Sequence, residues 1–273
     1  MRYLTYSGNH LVHAQLPATS RVLYPPPPLA GIADAGIPAA VRRALENPLG
    51  MAPLRELVGR DSRVLIAFDD NCQPFPPTRP PDIRQLCIET ILDMLRSYGL
   101  RMENVTLMCA VALHRKMKPA ELRAMVGERL YRDFYPQRLL NFDAEDAADI
   151  VTVGETERGE VVETSRRVIE SDLVLYVDSI QIALNGGHKS VAVGLSTYNS
   201  IQHHHSPQMT ADTPHVMQPE GSQMHDCIER LSRVIDKKAR IMVLEAPMNN
   251  AIYPPLMSFL SKPAERSSGL DRL

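Results

Sequence analysis

Gly186-Gly187-His188-Lys189 and the run His203-His204-His205 are the residues of this chain best equipped for chemistry. A lysine on a tight glycine turn offers an amine whose pKa falls on desolvation, which suits covalent attachment. Imidazole is a good ligand for zinc, copper, nickel or iron. His205 follows Lys189 by sixteen residues, so the two together can hold a covalent or metal-bearing cofactor. Singly each signal is weak: Gly-Gly-x-Lys occurs in many surface loops, and consecutive side chains of a histidine run cannot all face one metal. His114, which follows an apolar run, reads either as a general base or as a histidine hydrogen-bonded at a strand end. Arg79 lies in Pro76-Pro77-Thr78-Arg79-Pro80, a stiff loop opposite Asp70. Its guanidinium suits a carboxylate or phosphate, or else a surface ion pair with Asp70.

Other chemistries lack their signatures. There is no G-x-S-x-G elbow, no Walker A loop and no H-E-x-x-H, and no G-x-G-x-x-G follows an apolar run, which disfavours a free dinucleotide. Cys72, Cys87, Cys109 and Cys227 form no C-x-x-C pair, so neither a zinc finger nor a disulfide framework is indicated, and free thiols fit a reducing cytoplasm. A net charge of −2 gives no electrostatic case for nucleic acid. No apolar run approaches the ~20 residues of a membrane span, and the N-terminus lacks the apolar core of a signal peptide.

These groups need a scaffold to bring them together. Ser62 to Phe68, Val105 to Ala112 and Leu173 to Val177 are continuous apolar runs, the pattern of strands buried on both faces of a parallel sheet. Arg240 to Glu245 reads as a further strand. Helical spacing covers Ile37 to Leu45, Ile83 to Tyr98 (closed by Gly99), Pro119 to Val126 (closed by Gly127), Ser165 to Ser171 and Met224 to Lys237. A helix or turn is expected over Pro53 to Val58. The first 35 residues read as an irregular or β-rich arm, with a short strand at Arg21 to Tyr24. The 22 prolines cluster at Pro25 to Pro28 and between Pro74 and Pro81, fixing particular loops. The fold predicted is α/β, a Rossmann-like parallel sheet flanked by helices. Ligands bind at the carboxyl ends of such strands, where Asp69-Asp70, His114 and the Asp178–Lys189 loop would converge.

Taken together, Leu45 to Gly50 with Leu54 to Leu57, Asp69-Asp70 with Thr78-Arg79-Pro80, Leu113-His114-Arg115, Gly186 to Lys189, Gly194 and Ile201 to His205 resemble the nickel-dependent lactate racemase family, in its N-terminal domain. The resemblance covers most of residues 35 to 260. It implies a 2-hydroxyacid racemase or epimerase working by hydride transfer to a nickel pincer nucleotide, tethered at Lys189, with His205 as nickel ligand and His114 as acid/base. It also implies roles for Asp70, Gly186, Gly187 and His188 around the nucleotide, and for Arg79, Ser179 and Gln181 around the substrate, a small 2-hydroxy acid. Cofactor-making enzymes become expected partners, and protein made without them is expected to lack the cofactor. Two departures stand out. The family's second catalytic histidine falls at Ser179, ten residues before the lysine, and Asn71 to Pro76 is an insertion. The whole of residues 1–273 reads as one such domain of a two-domain enzyme, without its C-terminal partner and with little turnover alone. The competing reading is a small-anion-binding module that has lost racemase chemistry.

Overall fold

The computed structural model describes residues 2–7, 10–21, 29–71, 78–180, 187, 189–211, 218–255 and 257. The arm opens with an antiparallel hairpin, β1 (Arg2–Ser7) and β2 (His10–Gln15). The strand expected at Arg21 to Tyr24 lies outside the described residues, Arg21 excepted. The body then runs α1 (Ile37–Glu46), α2 (Leu54–Leu57), β3 (Val64–Asp69), α3 (Ile83–Ser97), β4 (Val105–Ala110), α4 (Pro119–Phe134) and β5 (Leu139–Asn141). A second hairpin follows, β6 (Ile150–Glu155) and β7 (Val161–Ser165), then α5 (Arg166–Glu170) and β8 (Leu173–Ile180). The rest comprises α6 (Lys189–Gly194), α7 (Tyr198–Ile201), α8 (Pro207–Ala211), α9 (Gln223–Asp236) and β9 (Ile241–Pro247).

Five strands make the central sheet in the order β5-β4-β3-β8-β9, every neighbouring pair parallel. The apolar runs explain the middle of it: Val64 to Phe68 and Leu173 to Val177 are all buried, as strands covered by helices on both faces must be. Each buried Val, Leu, Ile or Phe among them contributes about 1.5–3 kcal/mol by leaving water. Against the sheet α3 lays Cys87, Ile88, Ile91, Leu92, Met94 and Leu95. Its start is set by Asp82, whose carboxylate accepts from the Arg84 N–H, and its end by Gly99 at φ +81°.

Gly127 (φ +81°, ψ 159°) ends the first helical segment of α4, as the sequence pattern expects; a second segment, not read from the sequence, continues past this kink and buries Leu130 and Phe134. The β6–β7 hairpin and the three-residue β5 are additional to the elements read from the sequence. The hairpin packs against α9 through a buried cluster: Arg230 Nε donates to Glu160 at 3.0 Å, while Glu160 also accepts from Thr156 Oγ1 at 2.5 Å. No helix among the described residues is long and apolar enough to cross a membrane.

Topology alone marks one place on this sheet. From β3 the chain moves outward through β4 to β5, then returns to the other side of β3 for β8 and β9. The direction reverses between β3 and β8, and a crevice opens at the carboxyl ends of strands that part in this way. Asp69, Asp70 and Ser179 stand there.

Candidate active site at the carboxyl edge of the sheet

β3 delivers two adjacent carboxylates, which alternation sends to different surroundings. Asp69 faces inward. Its Oδ1 accepts the Ser179 N–H at 3.0 Å and its Oδ2 the Ser179 hydroxyl at 2.5 Å. Burial pushes the Asp69 carboxyl above the usual range, opposed by the nearby Arg84 charge and the Ser179 bonds. Arg84, 2% exposed, closes the arrangement from α3. Its five N–H donors meet five acceptors: both Asp82 oxygens, the carbonyls of Asp69 and Asp70, and Asn71 Oδ1, at 2.8 to 3.1 Å. The strand end is thereby clamped by one buried guanidinium.

Asp70 turns the other way and reaches His114, whose Nδ1 donates to Oδ2 at 2.8 Å. The Asp70 bond raises the His114 pKa, and partial burial opposes it. His114 is half exposed, Asp70 largely covered. The backbone leading to His114 is itself constrained: Ala112 sits at φ +48°, a region that residues other than glycine rarely enter. A carboxylate at Nδ1 fixes the ring and tautomer of an imidazole, an arrangement that suits a general base.

α6 begins at Lys189, and the turn before it is held from two sides. The Gly187 N–H (φ +58°) donates to Glu245 Oε1 at 2.7 Å, and Ser190 Oγ donates to the buried Asp178 at 3.1 Å. At its far end, Gly194 leaves no room for a side chain. A Cβ there would stand 2.7 Å from Tyr176 Oη and 3.0 Å from Ala110 Cβ. The Gly194 carbonyl accepts from the Ala112 N–H at 2.9 Å, tying α6 directly to the loop that carries His114.

The histidine run divides its labour. His203 Nε2 accepts from the Val161 N–H at 3.2 Å and so pins the turn to β7. His204 is fully buried, and burial drives its pKa down to about 3. His205 alone is exposed; burial of part of its ring, and secondarily the His114 charge, lower its pKa. The structure thus joins Asp70 to His114 directly, and ties the loop of His114 to the far end of α6 through Ala112 and Gly194.

Arg79 is not part of that arrangement. Its guanidinium forms a two-pronged pair with Asp34 of the arm, at 2.6 and 2.7 Å, in place of the ion pair with Asp70 expected from the loop. The reason is that the arm passes over the start of α3 and brings its own carboxylate. Arg79 and Asp34 line a cavity of about 640 Å³ between the arm, α1, α3 and the end of β9. A second cavity of about 750 Å³ runs from α1 past Gly187 to β9. His114, Asp70 and His205 line neither. Ser179 is buried with its hydroxyl given to Asp69, so it is not offered to the edge. Gln181, Gly186 and His188, and Cys72 to Pro76 of the expected insertion, lie outside the described residues. Sequence reasoning missed Arg84, Glu245 and Asp34. Only Glu245, at a strand's carboxyl end, carried a usable signal.

The family model for the lactate racemase N-terminal domain matches residues 9–217. Similar curated proteins include the lactate racemase of Thermoanaerobacterium thermosaccharolyticum, 25% identical over 169 residues, 60% of this chain and 37% of that protein. The lactate racemase of Lactiplantibacillus plantarum is 24% identical over 194 residues, 70% of this chain and 42% of that protein. The solved lactate racemase apoprotein from T. thermosaccharolyticum superposes with a TM-score of 0.67 at 21% identity, covering 92% of this chain and 57% of that one, a likeness of fold. The chain spans about two fifths of the length of the curated relatives it matches.

Proposed function

Because this chain belongs to the lactate racemase N-terminal domain family, we propose that it is the cofactor-bearing domain of a racemase or epimerase acting on a small 2-hydroxy acid. The observation that supports this reading is the Asp70–His114 pair at the carboxyl edge of the sheet, on a loop tied through Ala112 and Gly194 to the helix that begins at Lys189. The residues present fit a metal that arrives inside an organic group. Among the described residues no three His, Cys, Asp or Glu side chains cluster to hold an ion by themselves. His203 and His204 are taken up by the fold, which leaves the single imidazole of His205. One imidazole suits nickel when the remaining donors come from elsewhere. Lys189 would be the attachment point and His205 the metal ligand, with Asp70, Gly186, Gly187 and His188 around the nucleotide.

When bound, a nickel pincer nucleotide supplies a hydride acceptor beside the metal. The protein's own part is proton handling and positioning. His114 takes the substrate's hydroxyl proton at Nε2, while Asp70 holds Nδ1–H and stabilises the imidazolium that results. Return of that proton completes the exchange. Arg84 keeps the Asp69–Asp70 strand end in place, so that Asp70 stays aimed at His114. A substrate carboxylate that approached Arg79 would meet a guanidinium whose Nη1 and Nη2 are already paired with Asp34.

The buried Ser179 favours a second reading. A partner base for the opposite enantiomer is not supplied by that hydroxyl, so the domain would bind a small anion without racemising it. Intact mass and metal analysis after co-expression with the cofactor-making enzymes distinguishes the two. Added mass at Lys189 with about one nickel per chain supports the cofactor-bearing domain. An unmodified Lys189 without nickel supports the binding module.

A further inference from the structure

The contact between His204 and His205 gives the buried histidine a task of its own. Their Nδ1 atoms lie 2.6 Å apart, and the rings meet edge to face at 70° with centroids 4.5 Å apart. Two imidazole nitrogens at that distance share one proton, with one ring donating and the other accepting. His204 cannot swing away, since it is 0% exposed. The N–H groups of both residues donate to the Ile201 carbonyl at 3.1 Å, and His203 anchors the turn to β7. His204 Nε2, also buried, has no hydrogen-bond partner, so the Nδ1 contact is the ring's one polar attachment.

We propose that His204 is a positioning residue for His205: it occupies His205 Nδ1 and thereby presents Nε2 as the nitrogen that binds the metal. This rests on the cofactor-bearing reading above. An imidazole that ligates through one nitrogen keeps its orientation only if the other carries a hydrogen and finds an acceptor. An exposed histidine on a turn, left alone, rotates and can offer either nitrogen. With Nδ1–H of His205 donated to His204 Nδ1, both the ring plane and the tautomer are set. The pair has one other arrangement, in which His204 Nδ1–H donates and the His205 proton sits on Nε2. Metal binding selects against that arrangement.

Two substitutions separate this role from mere filling of space. Asn carries its polar atoms on Cγ, where His has Nδ1; Gln carries them one atom further out, near the position of Nε2. His204→Asn therefore keeps the contact and His204→Gln loses it, with side chains of comparable size and polarity. In ¹⁵N-labelled protein without cofactor, two-bond ¹H–¹⁵N spectra of the imidazoles should show a hydrogen-bonded His205 Nδ1 in the wild type and His204→Asn. His204→Gln should give the tautomer mixture of a solvent-exposed histidine. In protein co-expressed with the cofactor-making enzymes, release of nickel to EDTA should be about 10–100-fold faster in His204→Gln and near the wild-type rate in His204→Asn, with equal added mass at Lys189 in all three. Equal nickel release from a loaded wild type and a loaded His204→Gln overturns the proposal, as does a wild-type His205 spectrum identical to that of His204→Gln. A wild type with neither added mass nor nickel overturns the cofactor reading and the metal-positioning role together, while the spectra still report the His204–His205 bond separately.

Discussion

Replacing Arg84 by methionine should be among the most damaging single changes available to this domain. The side chain is 2% exposed and its five donors are all used. Methionine would fill much of the volume but leave Asp82, 7% exposed, without its guanidinium, and take from the Asp69 and Asp70 carbonyls the N–H groups that Arg84 supplies. It would also remove the positive charge 3.7 Å from Asp69 Oδ2, so that burial drives that carboxyl further toward its neutral form. Breaking a buried ion pair from one side costs roughly 3–5 kcal/mol. Arg79→Met is the matched control. Its pair with Asp34 is also two-pronged, but the two side chains are 42% and 39% exposed, so the loss should stay within about 1 kcal/mol. Urea unfolding at pH 7, followed by circular dichroism, compares them directly. If Arg84→Met is folded, the His114 pKa measured by NMR should also fall toward that of an ordinary histidine, because the strand end that aims Asp70 is released. A loss from Arg84→Met no larger than that from Arg79→Met would refute the clamp.

Asp70→Asn should lower the His114 pKa. In the wild type the raised value means that the pair stabilises the fold fully below the unfolded pKa, near 6.5, and loses this as pH rises through the higher folded value. An NMR titration of His114 in the two proteins checks both sign and cause. Glu160 sets the acid side. Burial would raise its pKa, but bonds from Arg230, Thr156 and Cys227 hold it at about 2. Its contribution is present above the unfolded value of 4.5 and is lost as pH falls toward 2. Glu160→Gln should therefore flatten the decline in stability across that window, seen in urea midpoints measured from pH 5 to 2. Gly194→Ala should destabilise by about 1–3 kcal/mol through overpacking against Tyr176 and Ala110; a thermal midpoint unchanged from wild type would contradict the tight approach of α6 to the sheet.

The parts of the fold legible in the sequence were those in which one local rule and the tertiary environment agree. Val64 to Phe68 and Leu173 to Val177 read as buried parallel strands because an unbroken apolar run has few other uses at that length. The boundaries of α3 were readable from its stripe and from Gly99. Gly127 was readable as the end of one helical segment, since its φ of +81° suits glycine, but the second segment beyond it, which buries Leu130 and Phe134, was not read. The hairpin of β6 and β7 was missed although Val161 to Ser165 follows a turn containing Gly159, the signal of a short loop between strands. In the site, the meeting of Asp70 with His114 followed from strand ends alone. The partner of Arg79 did not, since Asp34 lies 45 residues away on an arm whose path no periodicity reveals. Arg84 was equally hidden, because an arginine in the first turn of a helix ordinarily faces water. Only the fold supplies the acceptors that keep it buried.

The bond from the Ala112 N–H to the Gly194 carbonyl joins the segments that carry His114 and Lys189, which lie far apart in the sequence. Together with the side-chain-free contact of Gly194 on Tyr176, it makes the His114 loop and the helix starting at Lys189 a single mechanical piece. Loops around the edge can lengthen, and what approaches the edge can change, without altering the spacing between these two segments. Divergence in this chain is thus free to act on what is recognised, while the internal ruler against which any bound group is measured stays where the sheet has put it.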